Sequence, residues 1–441
     1  MTAVQSYPGF TNTRDINMKY PDHPWYKSRG YLHFDNPVTL LHALDVVTNP
    51  QYIATHSFLP FISFTAKSYK IRKDPLTNSL ARKCKPREIA YSSHMDSHIF
   101  SYYASILDSF YELEVKKHGV DKNILAFRKL EKSNIEFAYE AFEEIKIRKN
   151  CSAVALDLSK FFDTLDHNIL KNAWCKLISE SSLPADHYAV FKNITKFSKV
   201  DKDQLYPLFG ISKHNPKHNR RKICSSDEFR AKARSLIITN KSGRGIPQGS
   251  PISALLSNIY MLNFDIEMKS YVESIGGEYF RYCDDMLFIV PIEQKNKVAG
   301  EAKKRLKGLK VDLNNDKTEI REFTAHVSGK ISCYKPLQYL GFLFDGNNIY
   351  LRSSSLSRYS DRMKRGIKLA KSTMRSKNKV RISKNLPEKD LFKEKIYARY
   401  AHVGKRNFLS YGYRAARIMN SKSIRKQLKP LWERLQRELE K

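Results

Sequence analysis

Cysteine is scarce in this chain: 6 of 441 residues, at Cys84, Cys151, Cys175, Cys224, Cys283 and Cys333, with no C-x-x-C pair. That scatter indicates neither a disulfide framework nor a cysteine zinc site, and reads as reduced cytosolic thiols. Long apolar runs are missing too, since none approaches the roughly 18 residues of a membrane-spanning helix. The first residues, Met1 to Tyr20, are polar and carry no apolar core of a signal segment. A cytoplasmic protein without a membrane partner is therefore expected. Acids are in deficit, with 45 Asp and Glu against 78 Lys and Arg, a net charge of +33. Such an excess is the electrostatic footprint of a protein that meets phosphate backbones. No internal repeat is visible, and the length suits two or three subdomains around one groove rather than a single compact unit.

What is present concentrates in three motifs. The run Phe280-Arg281-Tyr282-Cys283-Asp284-Asp285-Met286-Leu287-Phe288-Ile289-Val290 sets two adjacent acids where two apolar, β-prone segments meet, which predicts a hairpin with carboxylates at its tip. Carboxylates so placed need a partner for their charge, and a hard divalent cation with oxygen ligands is the natural one. Upstream, Ala153-Val154-Ala155-Leu156-Asp157 reads as a short strand ending in an acid, followed by Phe161 and Phe162. A strand-end acid and an acid pair on another strand are what two Mg²⁺ ions about 3.5–4 Å apart require. Between the two lies Gly243-Arg244-Gly245-Ile246-Pro247-Gln248-Gly249-Ser250-Pro251, a turn that opens a helical run from Ala254 to Met268. Its glycines let backbone N–H groups and Gln248 approach a nucleotide closely.

Taken in order, these motifs resemble the palm of reverse transcriptases. Leu313-Asn314-Asn315-Asp316-Lys317-Thr318 is similar to that family's lysine-bearing loop, and Tyr339-Leu340-Gly341-Phe342-Leu343-Phe344 to its primer-grip hairpin. The likeness runs from about Lys70 to Phe344. It implies an α+β right-hand polymerase: fingers over residues 1–150, a palm over 151–344 with a basic insertion at about 186–236, and a helical, basic thumb over 345–441. Helices are expected over Asp96–Lys117 and Asn123–Lys149, and again within Arg362–Lys371 and Ser421–Lys441. For the insertion two readings stand, a solvated loop or a nucleic-acid-facing surface.

The resemblance also implies roles. Asp157 and Asp284 would bind two Mg²⁺ ions (Mn²⁺ being an alternative), with Asp285 in support and the carbonyl of Leu158 as an extra ligand. Phe162 would lie under the sugar and exclude a 2′-hydroxyl, which implies dNTP use. Lys317 would protonate the leaving pyrophosphate, and Gln248 would sit by the incoming nucleotide or template base. Arg87 would contact the triphosphate, with Lys70 and Arg72 as further candidates; Ile71-Arg72-Lys73 departs from the family's I-P-K. His94, Asp96 and His167 read as helix-capping or structural residues rather than metal ligands. The element Lys85–Asp96 and the insertion look most like standalone bacterial defence-associated reverse transcriptases, which implies a noncoding RNA template, a DNA product and antiphage defence. Retron signatures are not found, and no nuclease or integrase segment is recognised. A retron or intron-type enzyme, an RNA-synthesising palm polymerase, a template-independent DNA polymerase and a non-catalytic basic RNA-binding scaffold are the alternatives.

Overall fold

The computed structural model describes residues 22–73 and 78–441, except for the side chains of residues 70–73, 80–83 and 315. Its centre is a five-stranded antiparallel sheet ordered β6-β7-β3-β8-β9, formed by β3 (Cys151–Asp157), β6 (Glu278–Tyr282), β7 (Asp285–Val290), β8 (Glu319–Ala325) and β9 (Ile331–Ser332). Strand side chains alternate between faces, and here both faces are apolar, so the sheet is covered on both sides. Val154, Leu156, Met286, Phe288 and Val290 point into one core, shared with helices His94–Lys117, His167–Leu177, Ala185–Thr195, Ser253–Ser274 and Lys295–Gly308. Cys151, Ala153, Leu287 and Ile289 point into a second.

The second core joins the sheet to the C-terminal third. There, β10 (Leu337–Tyr339), β11 (Phe342–Phe344) and β12 (Ile349–Leu351) form a small antiparallel sheet beneath the 30-residue helix Ser353–Ile382 and the shorter helices that follow. Phe344 stacks on Phe142 at 4.8 Å and on Phe323 at 5.7 Å between ring centroids. Each buried ring of this kind contributes about 1.5–3 kcal/mol. The β10–β11 turn needs positive φ at both Leu340 (46°) and Gly341 (95°), the geometry of a tight two-residue hairpin. Packing holds Leu340 there, and the Asn134 amide donates to its carbonyl at 2.9 Å.

Two expected elements differ. The helix expected from Asn123 begins instead at Asn134, behind a capping box of Ser133 and Glu136. Upstream of it the backbone serves β6: Arg281 N–H donates to the Asn123 carbonyl at 2.7 Å, and Leu125 N–H to the Arg281 carbonyl at 2.9 Å. The stretch Ser421–Lys441 is two helices, Lys422–Leu428 and Pro430–Glu440, because Pro430 can start a helix but cannot continue one.

The basic insertion is not a bare loop. Its strand β4 (Ser198–Asp201) pairs in parallel with Phe61–Ser63 of β1 (Phe61–Lys73), giving a mixed sheet β2-β1-β4-β5 with β2 (Leu80–Tyr91) and β5 (Ile238–Thr239). A third core forms around it from Leu32, Ile62, Val200, Leu205, Tyr206 and neighbours. No helix among the described residues is long and apolar enough to cross a membrane.

Candidate active site

The register of β3 against β7 puts Asp157 directly opposite Asp285. Facing residues of an antiparallel pair stand about 4.5–5.5 Å apart at Cα, so two carboxylates meet at the rim of the sheet. Asp284 sits beside them in the two-residue β6–β7 turn, as the sequence predicts. That turn demands positive φ at Cys283 (60°), a strained choice for a residue with a Cβ. Asp157 is almost fully buried. Burial first, then the neighbouring Asp284 and Asp157 carboxylates, push the Asp285 carboxyl up to about 8.

The lysine loop closes on this corner. Lys317 makes an ion pair with the Asp157 carboxylate, and Asn314 donates its N–H to the Asp157 carbonyl at 2.7 Å. Leu158, buried, donates its N–H to the Asp284 carbonyl at 3.0 Å, which ties the two acidic elements by backbone alone. The donor set is all oxygen and concentrated negative charge, which fits a hard divalent cation. Among the described residues no three His, Cys, Asp or Glu side chains already stand gathered as a finished cage. Lys317 supplies positive charge at Asp157 instead.

The Gly-Pro loop is fastened to two neighbours. Ile246 N–H donates to the Phe162 carbonyl at 2.9 Å, Gly245 N–H to the Leu165 carbonyl at 2.8 Å, and Ala90 N–H to the Gln248 carbonyl at 2.8 Å. A Cβ on Gly249 (φ 118°) would lie 2.6 Å from the Ala90 carbonyl oxygen, so only glycine permits this approach. Phe161 is buried and Phe162 half-buried, so Phe162 is the more exposed of the adjacent rings. Gln248 is half-buried in the same loop.

Strand β2 brings its cations to the site. Lys85, Arg87 and Ile89 share one face by the two-residue period; Ile89 borders Gly249, and Glu88, on the other face, pairs with Lys199 at 2.5 Å. Arg87 is exposed. Lys70 stands opposite Lys83 in β1, but its side chain and that of Arg72 lie outside the described residues. His94 and Asp96 belong to a helix start: Asp35 accepts from the His94 and Met95 N–H groups, and Ser93 from Asp96 N–H. Asp96 itself bonds His56 at 2.8 Å. His167 is held by the Gly245 carbonyl at 2.8 Å.

Three contributors escaped the sequence reading. Lys85 is half-buried near Lys317, Arg87, Asp157 and Asp284, and burial followed by the two cations lowers its pKa. Its place on the Arg87 face of β2 could have flagged it. Arg352, distant in sequence, lies within electrostatic reach of Asp285, and burial lowers its pKa. Arg281, wholly buried, sends one nitrogen to the Cys283 carbonyl at 3.2 Å and to Asn258 at 3.1 Å, while Asp265 takes its other two at 2.7 and 2.5 Å. Burial alone would lower the Arg281 pKa; Asp265 and Tyr279 more than offset that and keep it charged. A buried pair so far apart in sequence leaves no local signal.

A family model described as "Reverse transcriptase (RNA-dependent DNA polymerase)" matches residues 99–344. No curated protein sequence matches the chain. Among solved structures, similarity is found to apo telomerase from Candida tropicalis truncated from its C-terminal domain. That match has 11% identity, 70% of this chain and 59% of that one covered, and a TM-score of 0.43. Telomerase from Candida albicans in complex with a fragment of telomeric RNA matches at 12% identity, 87% and 58% coverage, and a TM-score of 0.38. This chain thus spans under two thirds of the length of either.

Proposed function

The chain belongs to the reverse transcriptase (RNA-dependent DNA polymerase) family, and on that premise we propose that it copies an RNA template into DNA from dNTPs. The observation that carries the proposal is the meeting of Asp157 with Asp285, beside Asp284, under the cations Lys317 and Lys85. We assign residues 1–150 to the fingers, 151–344 to the palm and 345–441 to the thumb.

Asp157 and Asp284 would hold two Mg²⁺ ions (or Mn²⁺), with Asp285 and the Leu158 carbonyl in support. When bound, such ions activate the primer hydroxyl and neutralise the triphosphate. The chain's own part is positioning, the main lever in phosphoryl transfer. Arg87 binds triphosphate oxygens, its planar fork suiting them; Lys70 assists. Lys85 lies on the Arg87 face of β2 and adds positive charge over the carboxylates. Lys317 gives a proton to the leaving pyrophosphate once it lets go of Asp157. Gln248, held through its backbone by Ala90, lines the nucleotide position. Phe162 is the sugar gate, and Phe162→Ala should lower the dNTP-over-rNTP ratio of kcat/KM by about 10- to 100-fold. An unchanged ratio would remove it from that role. The element Lys85–Asp96 and the insertion support placing the chain with standalone defence-associated bacterial enzymes, with a partner noncoding RNA as template and antiphage defence as the cytoplasmic role.

The deciding experiment supplies Mg²⁺ and labelled dNTPs or rNTPs to protein purified with the RNA it retains, alongside Asp284→Ala/Asp285→Ala. DNase-sensitive, RNase-resistant product from the wild type alone is expected, and its sequence identifies the template. No product from either protein, even with a primed RNA added, overturns the reading.

A further inference from the structure

The third core displays a loop whose chemistry the polymerase site does not use. From Lys199 to Arg234 the sequence has ten Lys and Arg against four acids, and no acid between Asp203 and Asp227. The loop Ser212–Lys222 reads Ser-Lys-His-Asn-Pro-Lys-His-Asn-Arg-Arg-Lys. It is tethered at both ends by buried side chains, Phe209 and Ile211 before it and Ile223 and Cys224 after it. Ile223 N–H donates to the His33 carbonyl at 2.8 Å, and Arg220 reaches back to the Phe209 carbonyl at 3.0 Å. Turns at His218 N–H to Asn215 O (3.3 Å) and Arg220 N–H to Lys217 O (3.0 Å) shape what lies between.

The anchored loop leaves its cations outward. Lys213 pairs with Asp203 at 2.8 Å. Lys217, Arg221 and Lys222 are exposed and have no carboxylate partner among the described residues. Like charges held together in this way repel one another, and a polyanion relieves the repulsion. We propose that the loop Ser212–Lys222 is a second RNA-binding surface, outside the catalytic cleft, which grips the phosphate backbone of the template RNA beyond the copied stretch. The inference rests on the reading above that the chain works on RNA.

Two observations favour that partner. The interleaved His214, Asn215, His218 and Asn219 add donors and acceptors suited to sugar hydroxyls and splayed bases. An anionic membrane surface would need exposed aromatic or aliphatic anchors among the cations, and the loop offers only the half-buried Pro216. The loop is carried by the third core, which is separate from the two cores that flank the sheet bearing Asp157 and Asp285.

The test compares full-length wild type with Lys217→Gln/Arg221→Gln/Lys222→Gln, which spares the structurally bonded Arg220 and the paired Lys213. Binding of a long structured RNA is measured by anisotropy across a salt series, alongside extension of a short primed template. Removing three phosphate contacts should weaken RNA binding at least tenfold and lower the slope of log K against log salt by about 2–3. Extension of the short template should stay unchanged. Unaltered RNA affinity and slope would overturn the proposal. So would a loss seen only with duplex DNA, or only with vesicles containing anionic lipid. Because binding is read without catalysis, wild type that grips RNA through the loop yet makes no DNA would sink the polymerase reading and leave this one standing.

Discussion

Arg281 is a buried group that holds the Cys283 carbonyl, one residue before Asp284 in the β6–β7 turn. Removing Asp265 alone would strand its charge in the core, at a cost of about 3–5 kcal/mol, whereas an apolar pair of similar volume is often neutral for stability. Arg281→Met/Asp265→Leu/Tyr279→Phe, which also removes the buried hydroxyl that donates to Asp265 at 2.7 Å, is therefore expected to melt far nearer the wild-type temperature than Asp265→Leu alone yet lose at least tenfold in kcat, with KM for dNTP little changed. Full activity in that variant would show that the turn needs no such support. Asp285 sets a pH dependence of its own. Its carboxyl keeps, up to about pH 8, a proton that an unfolded aspartate loses near pH 4. Folding then takes up a proton, and this group's contribution to stability falls as pH climbs through that window. Melting curves without divalent ions should decline across it, and Asp285→Asn should flatten the decline. Added Mg²⁺ should raise Tm more at pH 8 than at pH 6, since at the lower pH the proton competes with the ion.

Among the elements, the Gly-Pro loop is the joint on which the site turns, since it is bonded both to the short helix Phe161–Thr164 and to β2. Two of its glycines make opposite predictions. Gly243 has φ 70° and open space around it, so Gly243→Ala should cost about 1–2 kcal/mol of backbone strain and little else. At Gly249 a methyl group would meet the Ala90 carbonyl, so Gly249→Ala should cost more than that and depress activity by displacing β2 and its Arg87. Chemical denaturation of both variants ranks them, and equal midpoints would mean that the contact is slack. The helix expected from Asn123 illustrates why element boundaries escaped: Ile124 and Leu125 have apolar character that suits a helix, but the edge of β6 claimed their backbone. Tertiary pairing outweighed local propensity.

At the scale of the whole molecule, a net charge of +33 means that the proposed RNA binding would be driven by counterion release. If six to ten phosphates are contacted, RNA affinity should fall by about 10³–10⁵ between about 50 and 200 mM salt. A shallow slope in a salt titration would mean that few of the cations touch RNA. The long helix Ser353–Ile382, with its basic outer positions, and the insertion loop supply that charge on different parts of the surface.

Much of the acidic corner was legible because its parts are local. An acid at a strand end, an acid pair at a hairpin tip and a glycine-rich turn each betray themselves within a dozen residues, whereas the α+β architecture was implied by the resemblance those motifs carry. The sequence by itself thus determined which side chains bear charge, where strands turn, and that the charge balance suits a polyanion. Only the tertiary structure decided that Asp157 faces Asp285, that Lys85 and Arg352 come within reach of the acids, and that Arg281 is locked to Asp265. It also decided that the insertion has a core of its own, shared with Leu32 and Ile62. Those outcomes depend on strand register and on contacts between residues far apart in the chain, whose free energy is gained only once the core has closed.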